Sequence, residues 1–324
     1  MKCAALILPL ALAVLPLSGQ PAPAPTAAAD LLTYEDRDGS EVSESYTYFK
    51  APDPLPAGWV KEYGKVKHGL ARTFFPGNKL HEEIVYDHGV PQAWKRWRRD
   101  GSLMFTAEGK MQSIDEGYAV AIADGRAEWR TETGGVQVVN LFAGGRPQRV
   151  EVYYDDGKLE NLFVFTGEAG RLQGTIEAHH PNGQVSMRGA FTGEAPERIV
   201  VNASLFYLPP FDAFQRTGPW KFFHENGQVA NAGDYDEQGH KRGLWKRWRE
   251  TGTPSREETF AADRLHGPAR LFRESGELQS EGGYRDNEKD GEWRNYAEGG
   301  KLESTEVWSA GSLVETRPTP AAGT

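Results

Sequence analysis

The stretches "AWKRWRRDG" (93–101) and "LWKRWRETG" (244–252) interleave tryptophan with lysine and arginine, the residue types that grip a polyanion through charge-assisted hydrogen bonds and stacking. "IEAHHPNG" offers Glu177, His179 and His180, groups of the kind that hold zinc. "DRDGSE", Asp36 to Glu41, looks like the first half of a calcium loop. Each reading weakens on charge or spacing. The formal net charge is −9, whereas affinity for phosphates comes from a surplus of cations. On a strand His179 and His180 point to opposite faces, so at most one can join Glu177. The calcium pattern needs a bidentate glutamate at its twelfth place, which is Thr47 here. No metal, cofactor or nucleic-acid partner is expected. No G-x-S-x-G elbow, P-loop or H-E-x-x-H occurs, and no carboxylate pair stands out by spacing, so the chain is not expected to be an enzyme.

What positions these residues is a repeat of 23 to 24 residues, with units starting at Gly69, Gln92, Gly125, Gln148, Gly174, Gly218, Gly243, Gly267 and Gly291. Counting each start as place zero, place nine is a turn glycine in all units but the first, where Gly77-Asn78 is shuffled. Place eleven is Leu or Val, broken by Pro254, and place seventeen is aromatic, broken by Gly109. Dipeptides such as Asn182-Gly183, Asn226-Gly227, Asp100-Gly101 and Asp156-Gly157 supply the positive φ angles of two-residue hairpin turns, so each unit reads as a β-hairpin. With Asn226 and Gly227 central, His224 pairs with Val229, Phe222 with Asn231 and Trp220 with Gly233. That register places Trp94, Trp220, Trp245 and Trp293 on the core face at place two. Place five falls on the other face as an aromatic column: Phe74, Trp97, Tyr153, His179, Phe223, Trp248, Phe272 and Tyr296. The third unit departs, with Arg130 there and Trp129 one place early. Place three is charged throughout, basic in most units but Glu128, Glu151 and Glu177 in the middle ones. The Trp-Lys-Arg-Trp stretches are thus repeat architecture, one tryptophan for each face.

The pattern G-x-W-x-x-Y-x-x-x-G-x-L followed by an aromatic, as in "GEWRNYAEGGKLESTEVW" and "GPWKFFHENGQVANAGDY", resembles the MORN repeat variant family. The resemblance implies an all-β chain: an elongated array of about nine hairpins in a single twisted sheet or open solenoid, used for protein or lipid contacts. Bacterial members are often labelled antitoxin-like.

Around this array the chain divides as follows. Residues 1–29 read as a signal peptide and Pro/Ala-rich linker: Lys2, an apolar run from Ala4 to Leu17 interrupted by Pro9 and Pro16, then small residues. Cys3 is the single cysteine and lies within that segment, so the mature chain is expected to lack disulfides, which suits a bacterial periplasm or exterior. Residues 30–56 form a cap and 57–314 the array, interrupted at 110–124 and 195–217. Residues 315–324 form a disordered tail. No membrane span is expected. The expected function is a secreted or periplasmic, non-enzymatic scaffold for protein–protein interaction at the bacterial envelope, its partner an envelope protein or a toxin. The alternatives are carbohydrate or peptidoglycan binding through the aromatic column, and an immunity-like role.

Overall fold

Apolar and polar residues alternating between turn glycines commit each unit to two antiparallel strands. The computed structural model describes residues 31–58, 60–115, 119–167, 171–194 and 214–318, and its 21 strands form one open sheet. Each strand pairs antiparallel with its sequence neighbours. The sheet begins with Leu32–Asp38 against Glu41–Lys50 and ends with Leu302–Ser309 against Ser312–Pro318. Among the described residues substantial contact runs only between ladder neighbours, so these strands form a single layer. The all-β hairpin array is the architecture expected. Among the described residues no helix is long and apolar enough to cross a membrane.

Three boundaries differ from expectation. The 110–124 interruption is a lengthened hairpin: Leu103–Asp115 pairs with Ala119–Arg130, and Met111 faces Ile122 with both side chains 2% exposed. In that hairpin Gly109 faces Gly125, and a Cβ on Gly109 would stand 2.0 Å from the Asp124 carbonyl oxygen. This close backbone approach is why the aromatic column breaks at Gly109. Glu315–Pro318, expected in the disordered tail, belong to the last strand, where Arg317 pairs across to Thr305 and its guanidinium meets Glu315 at 2.7 Å and Glu292 at 3.5 Å. Of the 195–217 segment, Ala195 to Ala213 lie outside the described residues, as do 1–30. Phe214 packs on Phe191 at 4.4 Å, and Gln215–Phe223 is already strand. The hairpin Leu32–Lys50 occupies the position of the expected cap and pairs with Lys65–Phe75.

The turns also differ. At the place-nine glycines the loop is three residues long: Gly227 N–H donates to His224 O at 2.9 Å, and His224 N–H donates to Gln228 O at 2.8 Å. In the loops at Gly101, Gly157, Gly183 and Gly227 only the glycine has positive φ, at +90°, +83°, +89° and +83°. The preceding Asn or Asp serves instead as an acceptor, as Asn226 Oδ1 does for the Gln228 N–H at 3.0 Å and Asp156 Oδ1 for the Lys158 N–H at 3.0 Å. The extra residue shifts the register at every such hairpin, so Phe223 and not His224 pairs with Val229. True two-residue turns close the other end of the sheet at His88-Gly89, Gly144-Gly145, Ala262-Asp263, Asp286-Asn287 and Ala310-Gly311, with both central φ angles positive. Gly157 has nothing within 4 Å of where a Cβ would stand. Gly157→Ala is therefore expected to cost about 1–2 kcal/mol through left-handed backbone strain alone, and Gly157→Asn less. Urea unfolding of the two variants checks this, and equal losses would count against it.

The place-two column is buried throughout: Trp94 1%, Ala127 0%, Val150 0%, Trp245 7% and Trp293 0% exposed. Where this place is Trp, the facing residue of the preceding hairpin is often glycine. A Cβ on Gly189 would meet the Trp220 ring at 2.2 Å, one on Gly233 the Trp245 ring at 2.2 Å, and one on Gly282 the Trp293 ring at 2.4 Å. At two units where place two is alanine the partner is large, as for Ala71 facing Tyr46 and Ala269 facing Glu258. At these positions neighbouring hairpins trade volume between the two places. Cations cover the rings of this layer. Lys241 Nζ lies 4.7 Å over Trp245, Lys289 Nζ 4.2 Å over Trp293, and the Arg216 guanidinium 5.0 Å over Trp220.

Candidate functional site

On the face opposite these tryptophans, one residue from each strand between Lys79–Asp87 and Glu288–Tyr296 forms a row crossing the sheet. From Glu83 it runs through Lys95, Thr106, Glu128, Val139, Glu151, Leu162, Glu177, Arg188, Lys221, Ala232, Lys246, Glu257, Arg270, Glu281 and Arg294, each facing the next in the ladder register. The place-three charges are every second strand of this row. The three middle glutamates are locally paired: Glu128 with Arg126 at 2.7 Å and with Arg130, Glu151 with Arg149 at 2.6 Å, Glu177 with Arg188 at 2.7 Å. Beyond them Arg188, Lys221 and Lys246 make a basic stretch, followed by alternating signs. In the C-terminal half the row floors a groove of about 610 Å³ lined by Leu244, Glu257, Thr259, Arg270, Glu281 and Arg294.

Beside this row, nearer the glycine turns, stand Phe74, Trp97, Tyr153, His179, Phe223, Trp248, Phe272 and Tyr296, all partly buried. The bulge at each hairpin does not bring them into the tryptophan layer. The Arg188 guanidinium lies 5.9 Å over the Phe223 ring, placing that ring on the charged face. Two of the column's polar tips bond to the charge row. Tyr153 donates to Glu151 at 2.6 Å, and burial first, then this bond, pushes its phenol up to about 12. Tyr296 donates to Glu281 at 2.8 Å, and that bond is the main cause of its raised pKa. Both phenols therefore stay protonated donors at neutral pH. No ring contact joins one member of the column to another among the described residues. They are separate anchors two strands, or about 10 Å, apart. In the third unit Trp129 is buried against Phe105 at 5.1 Å, and Arg130 holds the turn through Gly134 O at 2.9 Å.

Place six carries a device that the column search passed over. Its side chain donates to the place-five carbonyl of the following unit: Tyr154 to His179 at 2.8 Å, His180 to Phe223 at 3.0 Å, His224 to Trp248 at 3.0 Å, Arg249 to Phe272 at 2.8 Å and Arg273 to Tyr296 at 2.5 Å. Arg98 does the same to Arg130 at 2.6 Å. The signal was chemical: Arg, Tyr and His are unlike in size and charge but all are long donors. His180 is thereby used as an inter-hairpin clamp. His179 meets Glu177 at 3.3 Å, a carboxylate already shared with Arg188. Another donor group was missed in the sequence: His68, Asp87 and His88 come together at the first two-residue turn.

The model of the MORN repeat variant matches residues 67–88, 216–237 and 289–309, each of which begins near a place-zero glycine and spans one hairpin. The chain carries MORN variant repeats. The MORN match makes it a β-hairpin repeat protein, with the remaining hairpins continuing the same sheet. No curated protein matches the sequence. Among solved structures, TcdB2-TccC3 is similar at 9% identity and a TM-score of 0.17, over 85% of this chain and 17% of that one. A protein of unknown function from Bacteroides fragilis is similar at 8% identity and a TM-score of 0.11, over 60% of this chain and 92% of that one. This chain thus spans less than a fifth of the TcdB2-TccC3 chain, and at these scores neither likeness informs its function.

Proposed function

We propose that this MORN array is a non-enzymatic scaffold that binds a protein partner at a bacterial cell envelope through its charged, aromatic-studded face. The observation that carries the reading is the continuous row of one residue per strand, of split sign, flanked by separate, partly buried aromatic rings. Aromatic anchors set among paired charges are the composition of protein interfaces, where rings supply affinity and charges supply register. A surface of mixed sign on a chain of net charge −9 is poorly matched to a polyanion. Delivery to the envelope is supported by the apolar run near the N-terminus.

The double variant Trp97→Ser/Trp248→Ser is expected to lose capture of that partner from envelope extract by at least tenfold, as anchor truncation does, while keeping the wild-type circular dichroism spectrum. Quantitative mass spectrometry of pull-downs with both proteins reads this. Unchanged capture by the double variant removes the aromatic face from the binding site. Glycan-array binding that the double variant loses would replace the protein partner with a carbohydrate.

A further inference from the structure

At the end of the first hairpin away from its glycine loop, one imidazole precedes the place-zero glycine and the other sits in the two-residue turn. His68, Asp87 and His88 each bring one ligand atom to within 4.8 Å of the others. His88 Nδ1 stands 2.6 Å and His68 Nδ1 3.6 Å from the same carboxylate oxygen, Asp87 Oδ1. The ring centroids of the two histidines are 4.8 Å apart, and Phe49 packs against them at 5.1 Å and 6.1 Å. Both imidazoles are partly buried and the carboxylate is exposed.

The backbone holding these groups is fixed. His88 and Gly89 have φ of +48° and +83°. Gly89 N–H donates to Lys67 O at 2.7 Å, and Val60 N–H donates to His88 O at 3.0 Å. A Cβ on Gly89 would stand 1.9 Å from the Val60 carbonyl oxygen, so the turn is wedged between the strand before it and the segment at Val60. The His88 N–H points at His68 Nδ1 from 3.3 Å, so that nitrogen is an acceptor, and an ion bound there would take its lone pair over from this long contact. Ligands held in place before the ion arrives bind it without an ordering cost.

We propose that His68, Asp87 and His88 form a binding site for a divalent first-row transition ion of the zinc class. Two imidazoles and one carboxylate match the ligand preference of such ions and not that of Mg²⁺ or Ca²⁺, which take oxygen. Three protein ligands at a solvent-facing turn leave a coordination position for water. The same sheet supplies an internal comparison. At the turn Asp286-Asn287, His266 Nδ1 lies 3.8 Å from Asp286 Oδ1, but no second imidazole joins them among the described residues.

The test uses the full chain without an affinity tag, titrated with Zn²⁺ by calorimetry. Saturable binding of a single ion is expected, unaffected by excess Mg²⁺. His68→Ala and His88→Ala should each weaken it by more than the roughly 10–100-fold that partners outside the coordination shell contribute. His266→Ala should bind Zn²⁺ as the wild type does. Absence of saturable Zn²⁺ binding in the wild type, or its survival in His68→Ala/His88→Ala, overturns the site. Should the histidine variants fail to fold, Cu²⁺ electron paramagnetic resonance on the wild-type chain decides. Coupling to two imidazole nitrogens supports the site, and a spectrum without it overturns the site.

Discussion

Trp245→Ala is expected to lower the stability of the hairpins around it by about 3–5 kcal/mol, the range for truncating a buried tryptophan. Trp248→Ser, three residues along, should cost much less. Trp245 is 7% exposed, packs edge-on against Tyr235 at 5.1 Å and Phe260 at 6.3 Å, lies under Lys241, and donates its indole N–H to Asp234 O at 3.1 Å. Its removal opens a cavity in a single layer and leaves that ammonium over empty space. Trp248 keeps part of its ring in solvent, and what it fixes is its carbonyl, held by His224 whatever the side chain. Because contacts in the sheet run between neighbours, unfolding of the array need not be two-state. Urea titration should therefore be paired with amide hydrogen exchange resolved to the strands Val229–Tyr235, Lys241–Trp248 and Pro254–Ala261. Equal losses of protection in the two variants would make the place-five column a second core and move the proposed binding face elsewhere.

Gly233→Ala should be nearly as damaging as its one added methyl group is small. That methyl group would sit 2.2 Å from the Trp245 ring, whose neighbours and N–H bond prevent it from swinging away. Overpacking of this kind costs about 1–3 kcal/mol. In a Trp245→Ala background the same substitution has room and should be close to neutral, so the coupling energy between the two sites should be of similar size. An additive double-mutant cycle would mean that the sheet relaxes around the methyl group and that the Gly–Trp pairing does not set the hairpin spacing.

Much of this arrangement was legible because the repeat multiplies weak signals. One Gly-x-Trp is unremarkable, but the same spacing in unit after unit separated place two from place five and split the Trp-Lys-Arg-Trp stretches correctly between faces. Two kinds of feature escaped. The first was turn chemistry: Asn226-Gly227 and Asp156-Gly157 satisfy both a two-residue turn and a three-residue loop, and only the side-chain oxygen's acceptance of the following N–H decides between them. The second was interaction between columns. The place-six donors differ in type, so a search for like residues missed them. The pairing of Gly189, Gly233 and Gly282 with the next unit's tryptophan appears only when one unit is compared with its successor. The cluster at His68, Asp87 and His88 is single-copy, and a repeat search averages over single-copy features.

Consecutive pairing of all 21 strands also sets the order in which the chain can fold. Every ladder joins strands adjacent in sequence, so no hairpin waits for a segment synthesised much later, and closure entropy is met in small increments. A β-sheet of this size would ordinarily be slow to form and would leave edges exposed while distant strands find one another. Here the growing edge is displaced outward with each new hairpin, and the preceding edge is covered as soon as the next strand arrives. The place-six donors reach forward to the following unit, so after six of the units a newly added hairpin meets a donor already in position.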